Sequence, residues 1–197
     1  MIRKMLLIAA AGALAACQQG AGAGNDQAAA PEPPAGSSAG GNAAGAASRT
    51  IADGFAQSPE HRRLNEAVEA AGFSETLRGA GPYTVFAPTD AALDALPEEE
   101  RAALMSPEQR ERLGSLLSYH IVPGTVMAQD IGVAIDRAGG RAELATVAGP
   151  TLSAARDGDA ILITDGAGNR ARVVRADELR SNGVVHSVDA VLMPERR

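Results

Sequence analysis

Tryptophan is absent from this 197-residue chain, and only five aromatic side chains occur: Phe55, Phe73, Tyr83, Phe86 and Tyr119. All five precede residue 120, so the core must come mostly from Val, Ile, Leu and Ala. That composition argues against a ligand site built on stacked aromatic faces, as for sugars or bases. Cysteine occurs once, at Cys17, which excludes a disulfide within the chain. Lysine also occurs once, at Lys4, and every other base is arginine. The 18 bases face 24 acids, for a formal net charge of −6. A nucleic-acid partner needs a basic face that neutralises phosphates, so none is expected. No nucleophile elbow set between a strand and a helix, phosphate loop or His-x₃-His pair is legible. The expectation is therefore a protein that is not an enzyme, with no cofactor and no metal.

What is present begins with a processing segment. Arg3 and Lys4 precede an apolar run from Met5 to Ala13, too short to span a bilayer, which takes about 20 residues. Leu14-Ala15-Ala16-Cys17 then resembles the bacterial lipobox. The resemblance implies cleavage before Cys17, a diacylglycerol on its thiol and an acylated new amine. Several acyl chains anchor firmly, since each buried methylene contributes about 0.8 kcal/mol. Gln18, rather than Asp, after the cysteine implies export to the outer membrane of the cell envelope. Removing Arg3 and Lys4 from the 18 bases leaves 16 against 24 acids, a net of −8. Acidic balance of this kind argues against electrostatic adhesion to anionic lipid and fits scattered, solubilising surface charge.

Residues 18–47 are nearly all Ala, Gly, Pro, Ser and Asn, with no large apolar side chain. Such a segment cannot bury enough surface to offset its ordering entropy and is expected to be a disordered linker. Its thirty residues would reach about 30 Å as a random coil. Aliphatic periodicity begins at Arg49-Thr50-Ile51, so residues 48–197 are expected to form one domain.

Helix signals dominate its first half. Thr50 caps a short helix to about Gln57, and Ser58-Pro59-Glu60 reads as the start of a helix that Gly72 stops. Pro82–Ala87 reads as a buried strand, and Thr89-Asp90 begins another helix with Leu93 and Leu96 inward. Ser106-Pro107-Glu108-Gln109 has the form of a capping box ahead of Leu113, Leu116 and Leu117. Beyond residue 117 strands are expected over 118–122, 141–147, 151–155, 160–164, 170–175 and 183–192, with an irregular helical stretch near 130–139. Early helices and late strands indicate an α+β domain.

Three segments in this order resemble the fasciclin domain family: Tyr83-Thr-Val-Phe-Ala-Pro-Thr-Asp-Ala-Ala-Leu-Asp-Ala-Leu-Pro97, Leu117-Ser-Tyr-His-Ile-Val-Pro-Gly124, and Ser181-Asn-Gly-Val-Val-His-Ser-Val-Asp-Ala-Val-Leu-Met-Pro194. The resemblance covers residues 49–194. It implies a fasciclin-like fold, helices packed on an antiparallel sheet in a wedge or sandwich, and an adhesion or interaction role. The motif residues also have structural readings. Thr89 caps a helix, and Asp90 favours the positive helix end. His120 and His186 are hydrogen-bonded strand residues, Asn182 makes a turn, and Asp189 accepts backbone donors across the sheet. In animal relatives an integrin-binding Asp-Ile pair precedes the third motif; the aligned residues here are Asp177 and Glu178, followed by Leu179. A second animal contact region surrounds the pair aligned with Tyr119-His120.

Two function classes follow. The first is a lipid-anchored, non-enzymatic module presenting its surface to an extracellular protein or polysaccharide, with Tyr119, His120, Asp177 and Leu179 as candidate contacts. The alternative is an envelope protein binding a small molecule or metal, if His61, His120 and His186 converge with Asp90 or Asp189. Paired carboxylates such as Asp157/Asp159 and Asp177/Glu178 are expected in solvated turns.

Overall fold

Thr50 opens the first helix as its composition suggests: the hydroxyl accepts the Asp53 backbone N–H at 3.3 Å. The computed structural model describes residues 47–194. The expected processing segment, the expected acylation position Cys17 and nearly all of the expected linker lie outside the described residues. Within them run α1 (Ile51–Gln57), α2 (Arg62–Ala71), α3 (Ser74–Arg78), β1 (Tyr83–Pro88), α4 (Asp90–Asp94) and α5 (Glu98–Leu104). A 3₁₀ turn (Pro107–Gln109) leads into α6 (Arg110–Tyr119), β2 (Ile121–Pro123) and α7 (Ala128–Arg137). Five strands complete the chain: β3 (Arg141–Ala145), β4 (Thr151–Asp157), β5 (Ala160–Thr164), β6 (Arg170–Arg180) and β7 (Gly183–Val188).

The strands form one seven-stranded sheet in the order β2-β1-β7-β6-β5-β4-β3. The fold is α+β, and the sheet is mixed rather than antiparallel throughout. β1 and β7 run parallel, Tyr83 opposite Gly183 through Pro88 opposite Val188. A parallel pair needs a long crossover, and here most of the domain supplies it. Both strands are buried on two sides: Val85, Ala87 and Val185 face a cluster with α1, α2, α3 and α6. Phe86 and Val188 face a second cluster with Ile131 and Ile135 of α7 and the β3–β6 half of the sheet. Continuous apolar runs such as Val85-Phe86-Ala87 are what two-sided burial requires.

β6 joins the two halves. Its start pairs with β5, Leu162 opposite Arg172 and Thr164 opposite Arg170. Its later residues pair with β7, with register shifts between Val173 and Arg175 and again between Arg175 and Glu178. Bulges of this kind bend a strand and increase its twist.

Several boundaries differ from the sequence expectations. α2 starts at Arg62, because the Ser58 hydroxyl is engaged by His61 Nδ1 at 2.9 Å and Pro59-Glu60 forms a turn. Ser106 makes no capping bond, and a 3₁₀ turn replaces the expected capping box. α6 continues through Tyr119, where strand was expected, with the His120 N–H bonded to the Leu116 and Leu117 carbonyls. The stretch near 130–139 is a regular ten-residue helix rather than an irregular one. β6 runs to Arg180, which places Asp177 and Glu178 in a strand and not in a turn. β7 stops at Val188, so Asp189 lies just beyond it.

Candidate functional site

The three motif segments meet at the β1–β7 pair, and most of their polar side chains are consumed internally. Thr89 caps α4 by accepting the Ala92 N–H at 3.3 Å. Asp90 does more than favour its own helix end. Its carboxylate accepts the Arg63 N–H of α2 at 2.9 Å, while its own N–H donates to the Glu60 carbonyl at 2.8 Å. It thereby ties the start of α2 to the end of β1.

Asn182 is the hub of the third motif. Its Oδ1 accepts the Ile51 N–H at 2.9 Å, and its Nδ2 donates to the carbonyls of Leu77 and Gly79 at 2.8 and 2.9 Å. One amide thus holds α1, α3 and the β6–β7 turn together. Gly183 follows at φ 155°, and a Cβ there would overlap the Tyr83 backbone. The parallel pairing therefore requires glycine at this position. Asp189 accepts the Arg172 N–H at 2.7 Å, and its own N–H donates to the Arg172 carbonyl at 3.1 Å, continuing the sheet past the end of β7.

The three histidines do not converge. His186 is fully buried and stacks on Phe86 with ring centroids 5.5 Å apart. Its Nε2 lies 2.8 Å from the Val126 carbonyl, and its Nδ1 accepts the Asp177 N–H at 3.2 Å. This pairing assigns the proton to Nε2. His120 is a helix C-cap rather than a strand residue; Nδ1 sits 2.8 Å from the Leu116 carbonyl and Nε2 accepts the Leu192 N–H at 3.1 Å. His61 bridges Ser58 and Ser187, at 2.9 and 3.2 Å. Burial lowers the pKa of all three; neighbouring carboxylates, and carbonyl bonds at His120 and His186, partly offset it. Among the described residues no three of His, Cys, Asp and Glu stand close enough together to hold a metal ion.

The candidate contact residues separate into two groups. Tyr119 and His120, at 0% and 2% exposure, are inside the domain and offer no contact surface. The Tyr119 hydroxyl donates to the Thr151 carbonyl at 3.2 Å and accepts the Gly166 N–H at 3.0 Å. Asp177 and Leu179 are at the surface. Asp177 holds a left-handed backbone, φ 60°, and its carboxylate caps α7 by accepting the Ala128 N–H at 2.7 Å. Leu179 is 48% exposed and lines a shallow depression of about 450 Å³ with Pro82, Thr125 and Arg180. Val174, also on β6, is 55% exposed.

Sequence reasoning passed over Asp165, read only as part of a turn. Its carboxylate takes the Asn169 N–H, the Asn169 amide and the Met193 N–H, at 2.7, 2.8 and 2.7 Å, tying the β5–β6 turn to the C-terminal segment. An Asp opening a Gly-rich turn is the signal for such a role. Also missed was Arg175, ion-paired to Glu60 at 2.9 Å and Glu178 at 3.3 Å. Asp157 is in an ion pair with Arg172 at the end of β4.

Comparison with known proteins places this geometry. The fasciclin domain model matches residues 59–194. Protein sll1483 of Synechocystis is 36% identical over 149 residues, 75% of either chain. Transforming growth factor-beta-induced protein ig-h3 of Sus scrofa is 31% identical over 145 residues. That match takes in 74% of this chain but only 19% of ig-h3. In fold, the chain resembles the FAS1 domain pair of the insect cell adhesion molecule Fasciclin I, with a TM-score of 0.66 at 17% identity. It covers 74% of this chain and 51% of that one. The chain belongs to the fasciclin domain family.

Proposed function

We propose that this member of the fasciclin family is a non-enzymatic adhesion or interaction module, held at the outer membrane by an acylated Cys17. Its low-complexity segment serves as the spacer that presents the domain to an extracellular protein or polysaccharide. The observation that carries this reading is a division of labour between inside and outside. Polar atoms of Thr89, Asp90, His120, Asn182 and His186 are spent on internal bonds, whereas Val174 and Leu179 of β6 carry exposed apolar surface. Leu179 also lines the shallow depression with Pro82, Thr125 and Arg180, where an apolar side chain rimmed by polar groups suits a protein contact. Asp177 contributes to that surface chiefly by shaping it, since its carboxylate already caps α7.

The test is capture of the full chain on extracellular polymer and envelope material from its own cells. Leu179→Glu should reduce capture at least about tenfold while leaving stability within about 0.5 kcal/mol, as expected at an exposed position. Unchanged capture by Leu179→Glu and Val174→Glu together would exclude this surface. Mass spectrometry of the protein from native membranes addresses the anchor, and an unmodified Cys17 thiol would overturn it.

A further inference from the structure

We propose that His186 and Asp177 form an acid-operated latch that holds the start of α7 against β6. On protonation of His186 the Asp177 N–H loses its acceptor, and the Asp177 carboxylate turns from α7 to the imidazolium. Three bonds define the closed form. The ring Nε2 donates to the Val126 carbonyl at 2.8 Å, and Nδ1 accepts the Asp177 N–H at 3.2 Å. Asp177 Oδ1 in turn accepts the Ala128 N–H at 2.7 Å.

A neutral imidazole has one donor and one acceptor, and these partners use both, whereas an imidazolium has two donors. With the Nε2 proton already on Val126, an added proton must sit on Nδ1, pointing at the Asp177 N–H. Two donors then face each other beside a fully buried ring, where an unmet hydrogen bond is costly. A replacement acceptor is at hand, because Asp177 Oδ1 lies 3.9 Å from Nδ1. It is the same oxygen that caps α7, so the new pair forms at the expense of the cap. The backbone favours the same movement, since Asp177 would leave φ 60°, a left-handed conformation unfavourable to non-glycine residues. Asp177 also falls within the register shift between Arg175 and Glu178, so it can turn without breaking the flanking pairs.

The charges around the ring set the direction. Asp177 and Glu178 of β6 act on it directly, while Asp130 of α7 is bonded to the Met127 N–H and Arg175 is held by Glu60 and Glu178. Phe86, the β1 residue stacked on the ring, carries no charge. Burial holds the His186 pKa below the ordinary value of about 6.5, partly offset by the Val126 carbonyl and the two carboxylates. The latch is therefore closed at neutral pH and opens in acid. Val174 and Leu179 flank it on β6, so opening reshapes the exposed apolar surface there. The latch itself does not depend on the contact role proposed above.

The experiment is a nuclear magnetic resonance titration of the full chain, labelled with nitrogen-15, between about pH 7.5 and about pH 4.5. The His186 ring should titrate below the ordinary histidine value, and the Asp177 and Ala128 amide signals should move with the same midpoint. Core amides such as Leu152 and Ile163 should not move with them. Exchange of the Ala128 amide, corrected for its intrinsic pH dependence, should quicken at least about tenfold once the latch opens. Asp177→Asn keeps a capping oxygen but offers the imidazolium no charge, so the His186 midpoint should move to lower pH. In His186→Gln, which cannot titrate, both amides should stay fixed over the range; Asp177→Asn carries the test if that variant does not fold. Asp177 and Ala128 amides that stay in place while His186 titrates would overturn the latch. So would core amides moving at the same midpoint, or a His186 midpoint unchanged in Asp177→Asn.

Discussion

Asn182 shows how one side chain can stand in for a set of contacts between elements. Its amide satisfies one backbone donor and two backbone acceptors from three separate segments. Removing it strands those groups in a part-buried setting, where each costs about 1–3 kcal/mol. Asn182→Ala should therefore destabilise the domain by about 3 kcal/mol, read from urea unfolding at neutral pH. Asn182→Asp keeps the acceptor for Ile51 but sets a carboxylate against the Leu77 and Gly79 carbonyls, and should be no better tolerated. Gly183→Ala is expected to be still worse, because the added methyl meets the Tyr83 backbone with no flexible atom to yield.

At the scale of elements, helix ends are repeatedly satisfied by residues from elsewhere in the chain. Asp90 serves the start of α2, and Asp177 serves the start of α7. Asp177 combines this cap with a left-handed backbone, a conformation that Asn and Asp tolerate better than other non-glycine residues. Asp177→Ala should lose about 1 kcal/mol from the cap and about 1 kcal/mol more from backbone strain. Asp177→Asn retains an acceptor and a left-handed preference, so it should lose less than about 0.5 kcal/mol. Chemical denaturation of the pair separates the two, and equal losses would mean that the cap carries little weight. Thr89→Val, which removes a cap within its own helix, should cost about 1 kcal/mol.

For the whole molecule, burial of three histidines couples stability to pH. Each has a folded pKa held below the unfolded value of about 6.5. Between the folded and unfolded pKa values the unfolded chain binds more protons, so stability there rises with pH. The contribution is complete above about pH 6.5 and is lost as the pH falls through that value toward the folded pKa. Each histidine imposes a slope of up to about 1.4 kcal/mol per pH unit in that window. Urea midpoints should accordingly drop between pH 7 and pH 5. His120→Gln, which can keep a donor and an acceptor for Leu116 and Leu192, should make the slope shallower by about one proton. An unchanged slope would show that His120 is protonated without disruption.

Local chemistry was legible in the linear chain because it depends on neighbours only a few residues apart. Thr50 and Thr89 cap their own helices, Gly72 ends α2 at φ 75°, and β5 occupies the residues its alternation marks out. Order and spacing of the three motifs also carried the family and the α+β class. What the amino-acid order alone left open were relations across long separations. Parallel pairing of β1 with β7 was not legible, because strand periodicity carries no direction. Tyr119 and His120 looked like surface candidates until the end of α6 turned them into the core, where both polar groups find backbone partners. The two arginines around Asp94 likewise meet only after α2, α4 and α5 pack. Caps, turns and alternation are short-range steric and hydrogen-bonding preferences; burial, strand direction and the meeting of distant charges arise only when the chain closes on itself.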